Sequence, residues 1–191
     1  MDKRLLPWYN PFITYESAVD DMPFSFLPTL ITDELTDLTP QLLKERNIRL
    51  LMLDFDNTIV PYTTNEPTDQ IASWLKKMAQ SPIQLCVVSN SKRDRVKLFC
   101  KAYGIDCITH AKKPFSKGIR ECMTRYGFSA DVCALAGDQI YTDVLGANCA
   151  EVTSILVKAI NNHNFWLKAR HVLELPWILI ARNRRINREE P

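Results

Sequence analysis

No run in this sequence approaches the ~20 consecutive apolar residues that a membrane-spanning helix needs. The N-terminal stretch MDKRLLPWYNPF is broken by Pro7 and Pro11 and never builds the continuous apolar core of a secretory signal. The expectation is a cytoplasmic chain, soluble or peripheral on the inner face of a membrane. CxxC pairs are also missing. The six cysteines, Cys86, Cys100, Cys107, Cys122, Cys133 and Cys149, are scattered and lie mostly within apolar segments, so they read as reduced core thiols. His110, His163 and His171 form no HExxH spacing, which argues against a histidine metal site. A large charge excess is lacking too. Lys plus Arg (24) nearly balances Asp plus Glu (22), and a net charge of +2 gives no reason to expect nucleic acid as partner. Internal repeats and low-complexity segments are absent.

What is present fits one soluble domain. The chain has 191 residues, 46% of them apolar and 24% charged, enough for a substantial core. From about residue 48, short apolar runs alternate with amphipathic stretches, the mark of an α/β fold built on a parallel sheet. The predicted strands are 48–55, 83–89, 105–109, 132–137 and 152–157; each lacks polar alternation, as strands covered on both faces do. Helices are expected to begin near Pro67, Lys92, Ser116 and Gln139, with Pro67 suited by its fixed φ and Ser116 by capping. Gly104 and Gly127 stand where two of them should stop. Residues 1–47 read as an extension holding one helix, DELTDLTPQLLKERN. Residues 161–191 read as a helical, basic tail packed on the same domain, with Arg182, Arg184, Arg185 and Arg188 behind LPWILI. That tail fits either a solvated, frayed helix or a contact with an anionic surface.

In an open parallel sheet, ligands bind beyond the carboxyl ends of the strands. The reactive side chains collect there. Asp54 and Asp56 end the first predicted strand, Ser89 and Asn90 the second, and Asp138 and Asp143 follow the fourth. Lys113 lies in the loop after the third. Each alone has an ordinary account as a cap or a solvated turn, but their order and their shared position call for a common explanation.

DFDNT, SN, KP and GDQIYTD resemble the four ordered motifs of the haloacid-dehalogenase-like (HAD) hydrolase superfamily, mainly Mg²⁺-dependent phosphatases. The fuller strings LDFDNTIVPY, VVSNS, AKKP and GDQIYTDVLGAN are similar to the YqeG-type HAD IIIA phosphatases, the group that includes phosphatidylglycerophosphate phosphatases. NCAEV departs from the pattern, since Ala150 or Glu151 stands where the family tends to carry glycine. The resemblance implies a Rossmannoid three-layer sandwich with a mostly parallel sheet.

It also implies roles. Two carboxylates at one strand exit can meet different environments, one ionised and the other protonated. Asp54 is then the nucleophile, and Asp56 the acid that protonates the leaving alcohol and the base toward water. Mg²⁺ is expected on the Asp54 carboxylate, the Asp56 backbone carbonyl and Asp138, with Asp143 a further ligand or an orienting group. Lys113 offsets phosphate charge, Ser89 and the N–H groups after it contact phosphate oxygens, and Thr58 bonds to the motif loop. Asn57 and Asn90 are expected at the substrate.

About thirty residues separate Thr58 from Ser89 and about two dozen separate Asn90 from Lys113, room for one crossover helix each and no substantial cap domain. An uncapped site admits a phosphate carried on something large. The resemblance makes phosphatidylglycerophosphate at an anionic membrane surface the leading substrate, with phosphatidylglycerol as product. Trp8, Tyr9, Phe12, Phe24, Phe26 and Trp177 fit either a bilayer interface or a cover for the sheet edge. The alternatives are a capless phosphatase acting on a protein or sugar phosphate, and a HAD-like binding module without turnover.

Overall fold

The computed structural model describes residues 25–92, 94–160, 176–177 and 179–180. In chain order they form strand β1 (Leu30–Thr32), a 3₁₀ turn (Leu35–Asp37), helix α1 (Pro40–Glu45), β2 (Leu50–Leu53), α2 (Asp69–Ala79), β3 (Gln84–Val88), α3 (Asp94–Tyr103) and β4 (Asp106–Ile108). There follow α4 (Lys117–Tyr126), a 3₁₀ turn (Ala130–Val132), β5 (Cys133–Gly137), a π-helical turn (Ile140–Val144), α5 (Leu145–Cys149) and β6 (Thr153–Val157). The six strands form one sheet in the order β1-β6-β5-β2-β3-β4, and every pairing is parallel.

Each strand predicted from the sequence is present, shortened at its ends where the chain peels away from the ladder. The four residues of β2 are fully buried, and successive side chains alternate between two cores. Leu51 and Leu53 join Ile71, Trp74, Leu75, Val96 and Phe99 from α2 and α3 on one face. Leu50 and Met52 join Ile119, Cys122, Met123 and Ala147 from α4 and α5 on the other. This is the three-layer α/β sandwich expected. All six cysteines are free thiols. Burial pushes the Cys100 and Cys133 thiols upward, Cys133 to about 11, so they stay protonated and inert.

The N-terminal extension differs from its sequence reading in two ways. Its helix is split, because Pro40 cannot continue a helix begun before it. Instead Pro40 takes the first position of α1, and the Thr39 hydroxyl caps that helix by accepting from the Leu42 N–H at 3.2 Å. The extension also supplies a strand. β1 pairs with β6, Leu30 opposite Ile155, and is fastened by the Thr29 N–H donating to Ser154 Oγ at 3.0 Å. Trp74 Nε1 donates to the Leu38 carbonyl at 2.9 Å and ties the extension to α2.

Helix starts shift slightly as well. α2 is capped by Thr68 rather than led by Pro67, α3 opens at Asp94, and Ser116 sits at the N-cap of α4 without a side-chain capping bond. The expected helix at Gln139 begins as the π-helical turn. Gly104 and Gly127 take left-handed φ of 65° and 68° at the ends of α3 and α4. The departure in NCAEV is resolved by Glu151, which occupies the left-handed region at φ 62° in place of glycine.

β2 lies between β3 and β5, so the chain leaves it toward one edge of the sheet and later returns on its other side. That reversal opens a crevice at the carboxyl ends of β2, β3 and β5. The β2-to-β3 and β3-to-β4 connections carry only α2 and α3, with no cap domain in either.

Candidate active site

The ladder carries β2 one step past its last strand residue, since the Asp54 N–H donates to the Ala136 carbonyl at 2.8 Å, and the chain then turns away. Asp54 is thereby fixed at the crevice floor, 6% exposed. Lys113 reaches it from the loop after β4. Its Nζ lies 2.7 Å from Asp54 Oδ1 and 2.7 Å from Asp143 Oδ1, so one buried ammonium bridges two buried carboxylates.

Asp143 owes its approach to Gly137, where any Cβ would overlap the Asp143 carboxylate. Its Oδ2 accepts from the Gln139 N–H at 3.1 Å. Asp138, directly after β5, completes the cluster: one carboxylate oxygen from each of Asp54, Asp138 and Asp143 lies within 4.8 Å of the others.

Three carboxylates gather around Lys113, which pairs with two of them, Asp54 and Asp143. Burial pushes Asp54 upward and Asp143 adds to it, against the pull of Lys113, and the result is about 7. Burial opposes the charge on Lys113, but Asp143 and Asp54 outweigh it, so the lysine is held above its ordinary value. Asp54 Oδ2 is buried with no hydrogen-bond partner. An orphaned oxygen in a cluster of three carboxylates fits a hard divalent cation.

The remaining residues separate into those brought to the cavity and those held away. A cavity of about 370 Å³ opens above Asp54 and is lined by Asp54, Asp56, Ser89, Asn90 and Lys113, with Lys92 and Tyr62 at its exposed mouth. The Asp56 carboxylate lies outside the acidic cluster and pairs with Arg95, Oδ1 to Nη2 at 3.1 Å. Ser89 Oγ accepts from the Ser91 N–H at 3.0 Å. Asn90 clamps the Lys113 backbone in both directions, accepting from its N–H at 2.6 Å and donating to its carbonyl at 2.9 Å. It therefore positions the lysine.

Asn57 and Thr58 depart from expectation. Asn57 adopts φ 63° and is fully buried, and its Oδ1 accepts from the Tyr62 N–H at 3.1 Å. It shapes the turn after β2 and does not line the cavity, because the left-handed turn carries its side chain under the loop. Thr58, 1% exposed, lines a second cavity of about 280 Å³ beside Asp33, Glu34 and Lys158.

The sequence reading did not single out Arg95 or Gly137. Arg95 stacks over Phe55, 5.0 Å from the ring centroid, and its guanidinium donates to the Tyr62 and Pro61 carbonyls, each at 3.4 Å. In SKRDRVK nothing distinguishes it from neighbouring bases.

Comparison with known proteins bears directly on this arrangement. A family model described as mitochondrial PGP phosphatase matches residues 17–160, which carry all of these side chains. The chain belongs to the mitochondrial PGP phosphatase family. It is also 36% identical over 132 residues to the probable phosphatase YqeG of Bacillus subtilis, covering 69% of this chain and 77% of that one. Among solved structures, the cobalt-bound deoxy-D-mannose-octulosonate 8-phosphate phosphatase of Haemophilus influenzae is similar at 17% identity and a TM-score of 0.49, over 69% of this chain and 90% of that one. A 3-deoxy-D-manno-octulosonate 8-phosphate phosphatase of Moraxella catarrhalis, in complex with magnesium, phosphate and KDO, matches at 16% identity and 0.45, over 72% and 91%. The protein is thus a phosphatase of the capless, YqeG-type HAD group.

Proposed function

We propose that the protein hydrolyses a phosphomonoester through a covalent aspartyl-phosphate on Asp54, and that its substrate is phosphatidylglycerophosphate presented at a membrane surface. The observation that carries the chemistry is Lys113 bridging Asp54 and Asp143 beneath an open cavity, with Asp54 Oδ2 unpartnered.

The Asp54 carboxylate attacks phosphorus and the ester oxygen departs. Asp56, at the cavity wall, must enter the step protonated, with its Arg95 pairing given up; it gives that oxygen its proton and later takes one from the water that cleaves the acyl phosphate, releasing inorganic phosphate and restoring Asp54. Lys113 is aimed where an incoming phosphate must sit and lessens its repulsion from Asp54. Ser91 and Lys92, beyond β3, line the same cavity. Asp54, Asp138 and Asp143 would hold Mg²⁺, which supplies Lewis-acid charge compensation when bound.

The open mouth supports a bulky substrate, and the family supports the PGP reading. The deciding measurement is phosphate release with and without Mg²⁺, comparing phosphatidylglycerophosphate in mixed micelles with soluble esters. Asp54→Asn is expected to fold and to lose turnover. A wild-type rate in that variant would refute the nucleophile, and preference for a soluble sugar phosphate would refute the lipid substrate.

A further inference from the structure

The loop from His110 to Lys117 is anchored on its underside and exposed on its outer side. Underneath, the Ala111 N–H donates to the Ser89 carbonyl at 3.0 Å, Asn90 clamps Lys113, and the Phe115 N–H donates to the Lys112 carbonyl at 2.9 Å. Helix α4 presses on the loop through Gly118, where a Cβ would overlap the Ala111 backbone. His110 and Lys112 are both held at left-handed φ, 57° and 58°, a conformation non-glycine residues keep only where the surroundings impose it.

The outward side chains are His110, Lys112, Phe115 and Lys117, all exposed. Phe115, at 72%, is the most exposed large apolar side chain among the described residues. Its loop contributes Lys113 to the cavity wall and so forms part of the rim. Tyr62, 43% exposed, stands at the same mouth with Lys92. Residues 109–120 contain no acid.

We propose that this rim, with Phe115 at its tip and Lys112 and Lys117 beside it, is the surface on which the protein docks to an anionic lipid bilayer. The inference rests on the lipid reading of the active site. The described residues that line the cavity are polar and offer no apolar chamber for acyl chains, so a lipid substrate stays in the bilayer and the mouth must come to it. An aromatic ring suits the interfacial layer, and lysines beside it suit anionic headgroups. The aromatics of the termini fit either a bilayer interface or a cover for the sheet edge. Of these, Phe26 and Trp177 pack on each other, ring centroids 5.2 Å apart, and Phe26 on Tyr141 at 5.5 Å, while Trp8, Tyr9, Phe12 and Phe24 lie outside the described residues.

The test uses the full chain in flotation with vesicles of phosphatidylcholine alone or mixed with phosphatidylglycerol. Turnover of phosphatidylglycerophosphate in those vesicles is measured alongside turnover of p-nitrophenyl phosphate. Wild type should float with the anionic vesicles. Phe115→Ser should lower partitioning and vesicle turnover about tenfold, and Phe115→Trp should preserve both. Lys112→Glu with Lys117→Glu should lower both by about tenfold or more and abolish the preference for anionic lipid. All three should hydrolyse p-nitrophenyl phosphate like wild type. Wild-type partitioning and vesicle turnover in Phe115→Ser and in the double lysine variant would overturn the docking surface while leaving the lipid reading intact. A wild-type protein that neither floats nor acts on the lipid, yet hydrolyses a soluble phosphoprotein, would overturn both.

Discussion

Replacing Lys113 by Met removes the cation that bridges Asp54 and Asp143, and the loss should register in stability as well as in turnover. Lys113 Nζ makes two 2.7 Å contacts with buried carboxylates. At an effective dielectric constant of 20, Coulomb's law gives each roughly 6 kcal/mol before desolvation is charged against it. Removing one member of such a buried group typically costs about 3–5 kcal/mol, because the remaining charges stay buried without compensation. For a chain of this size that is a fall in Tm of roughly 6–20 °C.

The deficit must depend on pH. Lys113 lowers the Asp54 value, so its removal raises that value further above about 7. A carboxylate raised in the folded state binds more protons there than when unfolded. Between the ordinary carboxylate value of 3.8 and about 7 both folded proteins hold that proton alike, so the variant loses stability relative to wild type as pH rises beyond about 7. Mg²⁺ should recover part of the loss and stabilise the variant more than wild type. Thermal unfolding at pH 5 and pH 8, with and without Mg²⁺, measures each part. Equal midpoints for the two proteins at pH 8, with equal responses to Mg²⁺, would refute the reasoning.

Other outcomes follow from the same geometry. Gly137→Ala should displace the Asp143 carboxylate, destabilising by about 1–3 kcal/mol and lowering turnover even where the fold survives, as paired unfolding and kinetic measurements would show. Binding of Mg²⁺ requires Asp54 ionised, so below about 7 its affinity should fall, up to about tenfold per pH unit, with proton uptake on release; calorimetry in buffers of different ionisation enthalpy would detect it. Asn90→Ala breaks both bonds to the Lys113 backbone and should lower kcat more than it raises KM, by about tenfold, in steady-state assays.

The strands that build the site were legible because LLML and CALAG are buried on both faces and carry no polar alternation to mislead the eye. Asp54, Ser89, Lys113 and Asp138 were legible for a topological reason. In a parallel sheet every strand exit lies at one edge, so residues far apart in sequence converge there without knowledge of side-chain geometry. Beyond the strands, local conformation decides. Asn57 and Thr58 follow Asp56 directly, yet a left-handed residue turns one under the loop and the other toward a second cavity. Arg95 was illegible because which base of SKRDRVK faces Asp56 depends on the phase of α3, set by Val96 and Phe99 in the core. β1 escaped notice because three residues are too few to display a period.

The pairing of β1 with β6 bears on what the edge of the sheet offers to other chains. Without residues 25–32, β6 would present a bare row of N–H and C=O groups, and Ser154 and Asn148 would lose the partners they now find at Thr29, Ser25 and Leu27. An open parallel edge of that kind recruits another chain. The short N-terminal strand thus acts as a built-in seal. A fragment trimmed to the motif-bearing strands would keep the acidic cluster and lose the guard against edge-to-edge aggregation.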